Sequence, residues 1–161
     1  MEAIILLMFF FVLFIFAEGI ALYLLFAFGL FRLASRNEIA NAWLAFIPIA
    51  QYYTLGMVVW DRVSAGFRDV LPWLMIGLAA AQIPLMFLQM IFPPIVILSM
   101  LLSLTTIGLV LYALFELFGK YSDQYVILLV FSILTLGLVG VIATFVIRNN
   151  EERPVDQAHA A

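Results

Sequence analysis

Cysteine is absent from the chain and histidine occurs once, as His159, in 161 residues. The first absence excludes a disulfide scaffold and a thiolate metal site, and the second removes most histidine-based chemistry. Charge is also scarce. Asp, Glu, Lys and Arg make up 11% of the sequence, against about 25% in a soluble domain. The seven Lys and Arg are scattered, and without a cationic cluster neither nucleic acid nor an anionic lipid surface is an expected partner. What fills the chain instead is apolar: 67% hydrophobic residues, with sixteen Phe, six Tyr and three Trp, at a mean hydropathy of +1.21. A soluble domain is excluded, and the composition is that of a small polytopic membrane protein.

A helix needs roughly 20 apolar residues to cross about 30 Å of hydrocarbon. Four runs meet this clearly, at residues 3–31, 70–92, 95–118 and 125–147, and none holds more than one charge. Each must be helical, because lipid cannot satisfy an open backbone. The first run is about twice as long as a signal-peptide core and no basic region precedes it, so it reads as a retained span. The fold class is therefore all-α, a transmembrane helical bundle. It comprises a single transmembrane domain over residues 1–148 and a polar tail over 149–161, which contains His159 and is expected to be disordered. Pro93 and Pro94 divide the second and third runs into a tight hairpin.

Residues 42–60 form a fifth, different run. It carries no charge, but Pro48 interrupts it and Gln51, Tyr52, Tyr53 and Thr54 follow as a polar block. Proline removes an N–H and disfavours helix at the preceding residue. Asn41 is placed to cap its first half, and Trp43, Tyr52 and Tyr53 suit an interfacial belt. If the run spans, Arg32, Arg36, Arg148 and Arg153 face Arg62, Arg68 and Lys120 across the bilayer. If it dips and returns, only Arg148 and Arg153 are separated from the other five cations. The larger bias favours four spans plus one re-entrant or interfacial segment, with five spans as the alternative. Both put the N-terminus outside.

Few polar side chains occupy the spans. Glu18 is near the centre of the first. Its insertion penalty is about 3 kcal/mol, which the surrounding Leu, Ile, Phe and Val outweigh, so it inserts and should face protein or a cavity. It is either a proton or cation site, or a packing contact to a neighbouring helix or a partner subunit. Glu116 lies four residues before Lys120, an order that favours a helical ion pair. Gln82 and Gln89 share a face of the helix that carries Pro84, and interhelical hydrogen bonds to Ser99, Ser103, Thr105 and Thr106 explain them without a ligand. Small residues at helical spacing mark possible close approaches: Ala17 with Ala21, Gly77 with Ala81, Ser99 with Ser103, and Gly140 with Thr144.

Catalytic arrangements fail for want of partners. The spans hold no His, Asp or Lys. Ser64-Ala65-Gly66 has no base beside it, and no Gly-rich phosphate loop is present. No catalytic residue, metal or cofactor is expected, nor an enzyme working alone.

The block Trp43-Leu44-Ala45-Phe46-Ile47-Pro48, entered from a loop containing Arg36 and followed by Gln51, Tyr53, Leu55 and Gly56, resembles a block found in small, largely uncharacterised multi-pass proteins of Gram-positive bacteria. Gln51 stands where that pattern has Asn. Gly119-Lys120-Tyr121-Ser122-Asp123 and Val146-Ile147-Arg148-Asn149-Asn150 are similar to the last loop and last helix end of the same proteins. The resemblance implies a bacterial plasma membrane and no particular activity. Three functional readings stand: a non-catalytic accessory or scaffold subunit binding other membrane subunits or its own copies; a small channel or proton-linked transporter using Glu18; and a protein that holds a hydrophobic molecule between its helices.

Overall fold

Where solvent cannot pair the backbone, the chain pairs its own, and helix accounts for most of this protein. The computed structural model describes residues 2–153. Within them α1 (Glu2–Arg36), a short 3-10 helix (Ala42–Phe46), α2 (Ala50–Val58), α3 (Leu71–Ile91), α4 (Ile95–Tyr121), α5 (Tyr125–Leu134) and α6 (Leu138–Ile147) follow in order. Three stretches are long and apolar enough to cross a membrane, Ile4–Arg36, Leu71–Ile91 and Ile95–Tyr121.

The chain leaves α1 through a left-handed residue, Glu38 (φ 55°), with Ile39 N donating to Ala34 O at 3.0 Å. This is a Schellman ending, which satisfies the last carbonyls and reverses the chain. The 3-10 helix then runs back along α1 until the Tyr23 hydroxyl donates to the Phe46 carbonyl. Asn41 does not cap with its side chain as expected; its carbonyl accepts from Leu44 N at 3.0 Å instead, which is the bonding of a 3-10 turn. Ile47, before Pro48, is extended (ψ 120°), as proline demands of its predecessor. From there α2 climbs back until the Val58 carbonyl accepts from Lys120 Nζ at 3.3 Å. Residues 42–60 therefore enter the bundle and return to the end they came from.

Residues 125–147 do not form the one continuous helix expected. They form two ten-residue helices, each about 15 Å long, folded against each other. The break is another Schellman motif: Gly137 N donates to Ser132 O at 2.7 Å and Leu136 N to Ile133 O at 3.1 Å, with Leu136 at φ 52° and Gly137 at φ 96°. Thr135 Oγ1 then accepts from Val139 N at 3.1 Å, which caps the start of α6. Gly140 lets the two arms close, since a Cβ there would stand 3.2 Å from Ser132 Oγ.

The tail departs from the expected disorder over its first residues. Asn150 Nδ2 donates to Tyr121 O at 2.9 Å, Arg153 N to Lys120 O at 2.9 Å, and Arg153 pairs with Asp123 at 2.9 Å. These residues are polar, but the exposed carbonyls and charges at the ends of α1 and α4 give them partners. His159 lies outside the described residues.

The ends of α1, α2, α4 and α6 and the start of α3 thus meet at one end of the molecule. All seven Lys and Arg gather there: Arg36 donates to Arg148 O at 3.0 Å, Arg62 to Arg153 O, Arg68 sits 4.3 Å over the Trp60 ring, and Arg32 is one turn before Arg36. The packed core is beneath this end and includes Leu30, Leu33, Leu55, Met75, Leu117 and Phe118. Away from it two arms diverge. The α3–α4 hairpin is one. The N-terminal half of α1 is the other, and it touches neither α3 nor α4; every residue from 4 to 16 is at least 52% exposed.

Candidate functional site

The hairpin of the 3-10 helix with α2 and that of α5 with α6 stop part-way down the bundle, and their tips leave a branched crevice. Three cavities meet at Tyr52. One, of about 260 Å³, lies between α1, α2, α4 and α6, with Leu22, Tyr23, Phe26, Gln51 and Val110 in its wall. A second, of about 400 Å³, reaches the α5–α6 tip at Leu136 and Gly137, past Thr106 and Ser132. The third, of about 490 Å³, is bounded by Pro48, Ile49, Gln82, Ser103 and Thr106. Tyr52 lines all three. Val110 opposite it is ten residues, about 15 Å, along α4 from Lys120.

Local chemistry explains the placement. Pro48 ends the descent, and α2 starts two residues later with Gln51 and Tyr52 in its first turn. Thr54 turns its hydroxyl onto Ala50 O at 3.2 Å, so the polar block carries its own partner at that position. Gln51 does not. Only 9% exposed, it leaves Nε2 buried without a hydrogen bond, as does Gln82 on α3. Gln89, two turns beyond Gln82, does pair, accepting from Ser99 at 3.5 Å. The Thr105 and Thr106 hydroxyls return to their own helix, at Leu101 O and Leu102 O. Tyr53 packs on Trp73, ring centres 5.1 Å apart, while Trp43 is exposed.

Two expected partnerships come out differently. Lys120 is 1% exposed and does not pair with Glu116. It reaches Asn37 Oδ1 at 2.7 Å, Asp61 at 2.9 Å and Glu152 at 3.5 Å, and Tyr121 links the cluster by donating to Glu152 at 3.0 Å. Glu116 turns instead to the Tyr112 hydroxyl one helical turn back. The loops and tail converging on Lys120 supply one amide oxygen and two carboxylates from three separate segments, which a reading confined to α4 could not include. Glu18 lines none of these three cavities. It is exposed on the free arm of α1, and among the described residues it has no hydrogen-bond or ion-pair partner. Ala17 and Ala21 beside it are exposed too, and a Cβ at Gly77 would meet nothing within 4 Å. Gly140 and Thr144 do form the expected ridge, buried against Ser132 and α1.

No protein-family model, curated protein or solved structure matches the chain.

Proposed function

We propose that the protein is a three-span component of a bacterial plasma membrane, N-terminus outside, serving as a non-catalytic accessory or scaffold subunit that receives other membrane helices on the outer half of α1. The observation carrying this reading is Glu18, an acid on the exposed, apolar arm of α1, in the middle of that helix and without a hydrogen-bond or ion-pair partner among the described residues. The apolar run 3–31 extends about 44 Å as helix, well beyond a hydrocarbon core of about 30 Å. Acids inside lipid face protein or cavities, and the chain's own crevice does not include this one. A neighbouring helix would satisfy it, with Ala17 and Ala21 allowing close approach.

The orientation rests on the gathering of all seven cations at one end. On the positive-inside rule that end is cytoplasmic, which also puts the C-terminus inside. A fluorescent protein that matures only in the cytoplasm, fused to the C-terminus, should be bright, and a phosphatase active only outside should be silent there; the opposite pattern overturns the three-span topology. The resemblance of the 43–48 block to proteins of Gram-positive bacteria supports the choice of membrane.

Docking on α1 is testable because the arm tolerates substitution without disturbing the core. Photo-crosslinking residues placed singly at 13, 14, 15, 17, 21 and 24 in native membranes should give protein adducts at helical spacing, strongest on the face of Glu18. Glu18→Leu should weaken them about three- to tenfold, the value of one interhelical hydrogen bond in lipid. Lipid adducts all round, unchanged by Glu18→Leu, would overturn the reading.

A further inference from the structure

We infer that the crevice around Tyr52 is a binding site for an apolar-chain molecule carrying carbonyl groups, whose oxygens accept from the side-chain amides of Gln51 and Gln82, one in each branch. Two donors are buried there without partners, Gln51 Nε2 and Gln82 Nε2. A buried amide N–H with no acceptor is costly in any protein, and at membrane depth bulk water cannot relieve it. Each amide lines a cavity that reaches Tyr52, so an acceptor entering either branch meets one of the two donors.

The walls select the rest of the molecule. They are chiefly Leu, Ile, Val and Phe, and no Lys or Arg lines any of the three cavities, so a phosphate is not what the site reads. Depth gives the same answer. Gln51 lies seven residues along α2 from Val58, about 10 Å from the cationic end, and Gln82 eleven residues into α3, about 16 Å from it. The cavity holding Gln51 is walled by Leu22 and Phe26 of α1 and Val110 of α4, and the Cα atoms of these two helices stay more than 8 Å apart, which leaves room for a chain between them. The three branches, of about 260, 400 and 490 Å³, are on the scale of pockets for small apolar ligands, roughly 300–1,000 Å³.

A carbonyl on an apolar chain has two common sources in a membrane, the ester of a glycerolipid and the ring of an isoprenoid quinone. The full chain, stripped of lipid in detergent, would be titrated by native mass spectrometry with dioleoyl phosphatidylglycerol and with its dialkyl ether analogue, which lacks the carbonyls. A second arm would compare an isoprenoid quinone with squalene. At least one carbonyl ligand should bind saturably, one per chain, about tenfold tighter than its carbonyl-free counterpart, and that arm identifies the source. Gln51→Leu and Gln82→Leu together should erase the discrimination, with thermal unfolding showing that the variant is folded. Equal binding of both members in both arms, or discrimination that survives the two substitutions, overturns the inference. Should the double variant fail to fold, Gln51→Leu and Gln82→Leu tested singly must each reduce the discrimination, and a single variant that keeps it overturns the inference equally.

Discussion

Removing both carboxylates from Lys120, in an Asp61→Ala Glu152→Ala chain, is expected to lower folding stability by about 3–5 kcal/mol, the cost of leaving a buried charge without its partners. The penalty falls on the lysine. Its side chain is 2% exposed, whereas those of Asp61 and Glu152 are 44% and 45% exposed, so the acids lose little by returning to water. What remains around the ammonium would be Asn37 Oδ1 at 2.7 Å and Val58 O at 3.3 Å, neither carrying a countercharge. Adding Lys120→Met to the same background should recover about half of the loss. It removes the uncompensated charge and keeps the stem's packing, while the two acceptors stay unpaired. Unfolding in detergent, followed by far-UV circular dichroism, measures both steps. A loss under 1 kcal/mol, or a lysine replacement that deepens it, would mean that the cluster is solvated rather than sealed.

That cluster also shows where sequence reasoning ran out. The break at Pro48 was legible because proline acts locally: Pro48 constrains Ile47 whatever surrounds them. The break near residue 136 was not, although its parts are local. Residues 125–147 have the length and hydropathy of a complete span, and hydropathy cannot tell one span from two half-length arms. Only Thr135 and Gly137 carried the signal, a cap and a left-handed position set inside an apolar run, and Leu136 obscured it by occupying a left-handed conformation that a branched side chain rarely takes. Bringing residues 148–153 to the cationic end follows from that one turn. Lys120 was misassigned for the opposite reason. Its spacing from Glu116 is favourable, but Asn37, Asp61 and Glu152 come from distant segments whose arrival depends on the whole topology. Gln51, Tyr52 and Gln82 were visible as polar residues; that the first and last lack partners and that all three open onto one crevice is a property of packing alone.

Glycine sets how closely the helices seat, and Gly56→Leu is the substitution expected to disturb the crevice most. A Cβ at Gly56 would come within 2.8 Å of Pro72 Cα, a backbone atom at the start of α3 that no rotamer change can move. Even Gly56→Ala must therefore push α2 from α3, at an expected cost of about 1–3 kcal/mol, and leucine should exceed it. The same reasoning holds at Gly29, where a Cβ would be 3.0 Å from the Phe145 backbone in α6. Gly108 is the contrast: a Cβ there meets nothing within 4 Å, and alanine should be neutral or stabilise by up to about 1 kcal/mol through helix propensity. The sign difference between Gly56→Ala and Gly108→Ala in one unfolding assay separates close packing from propensity. The two tight glycines are separable as well. Gly56 is one turn from Tyr52 on α2, so displacing it should open the crevice and weaken carbonyl discrimination along with stability. Gly29→Ala acts through α1 and α6, and should cost stability while leaving Gln51 and Tyr52 seated against α4. Equal loss of discrimination in both variants would mean that the crevice is held by the bundle as a whole rather than by the contact between α2 and α3.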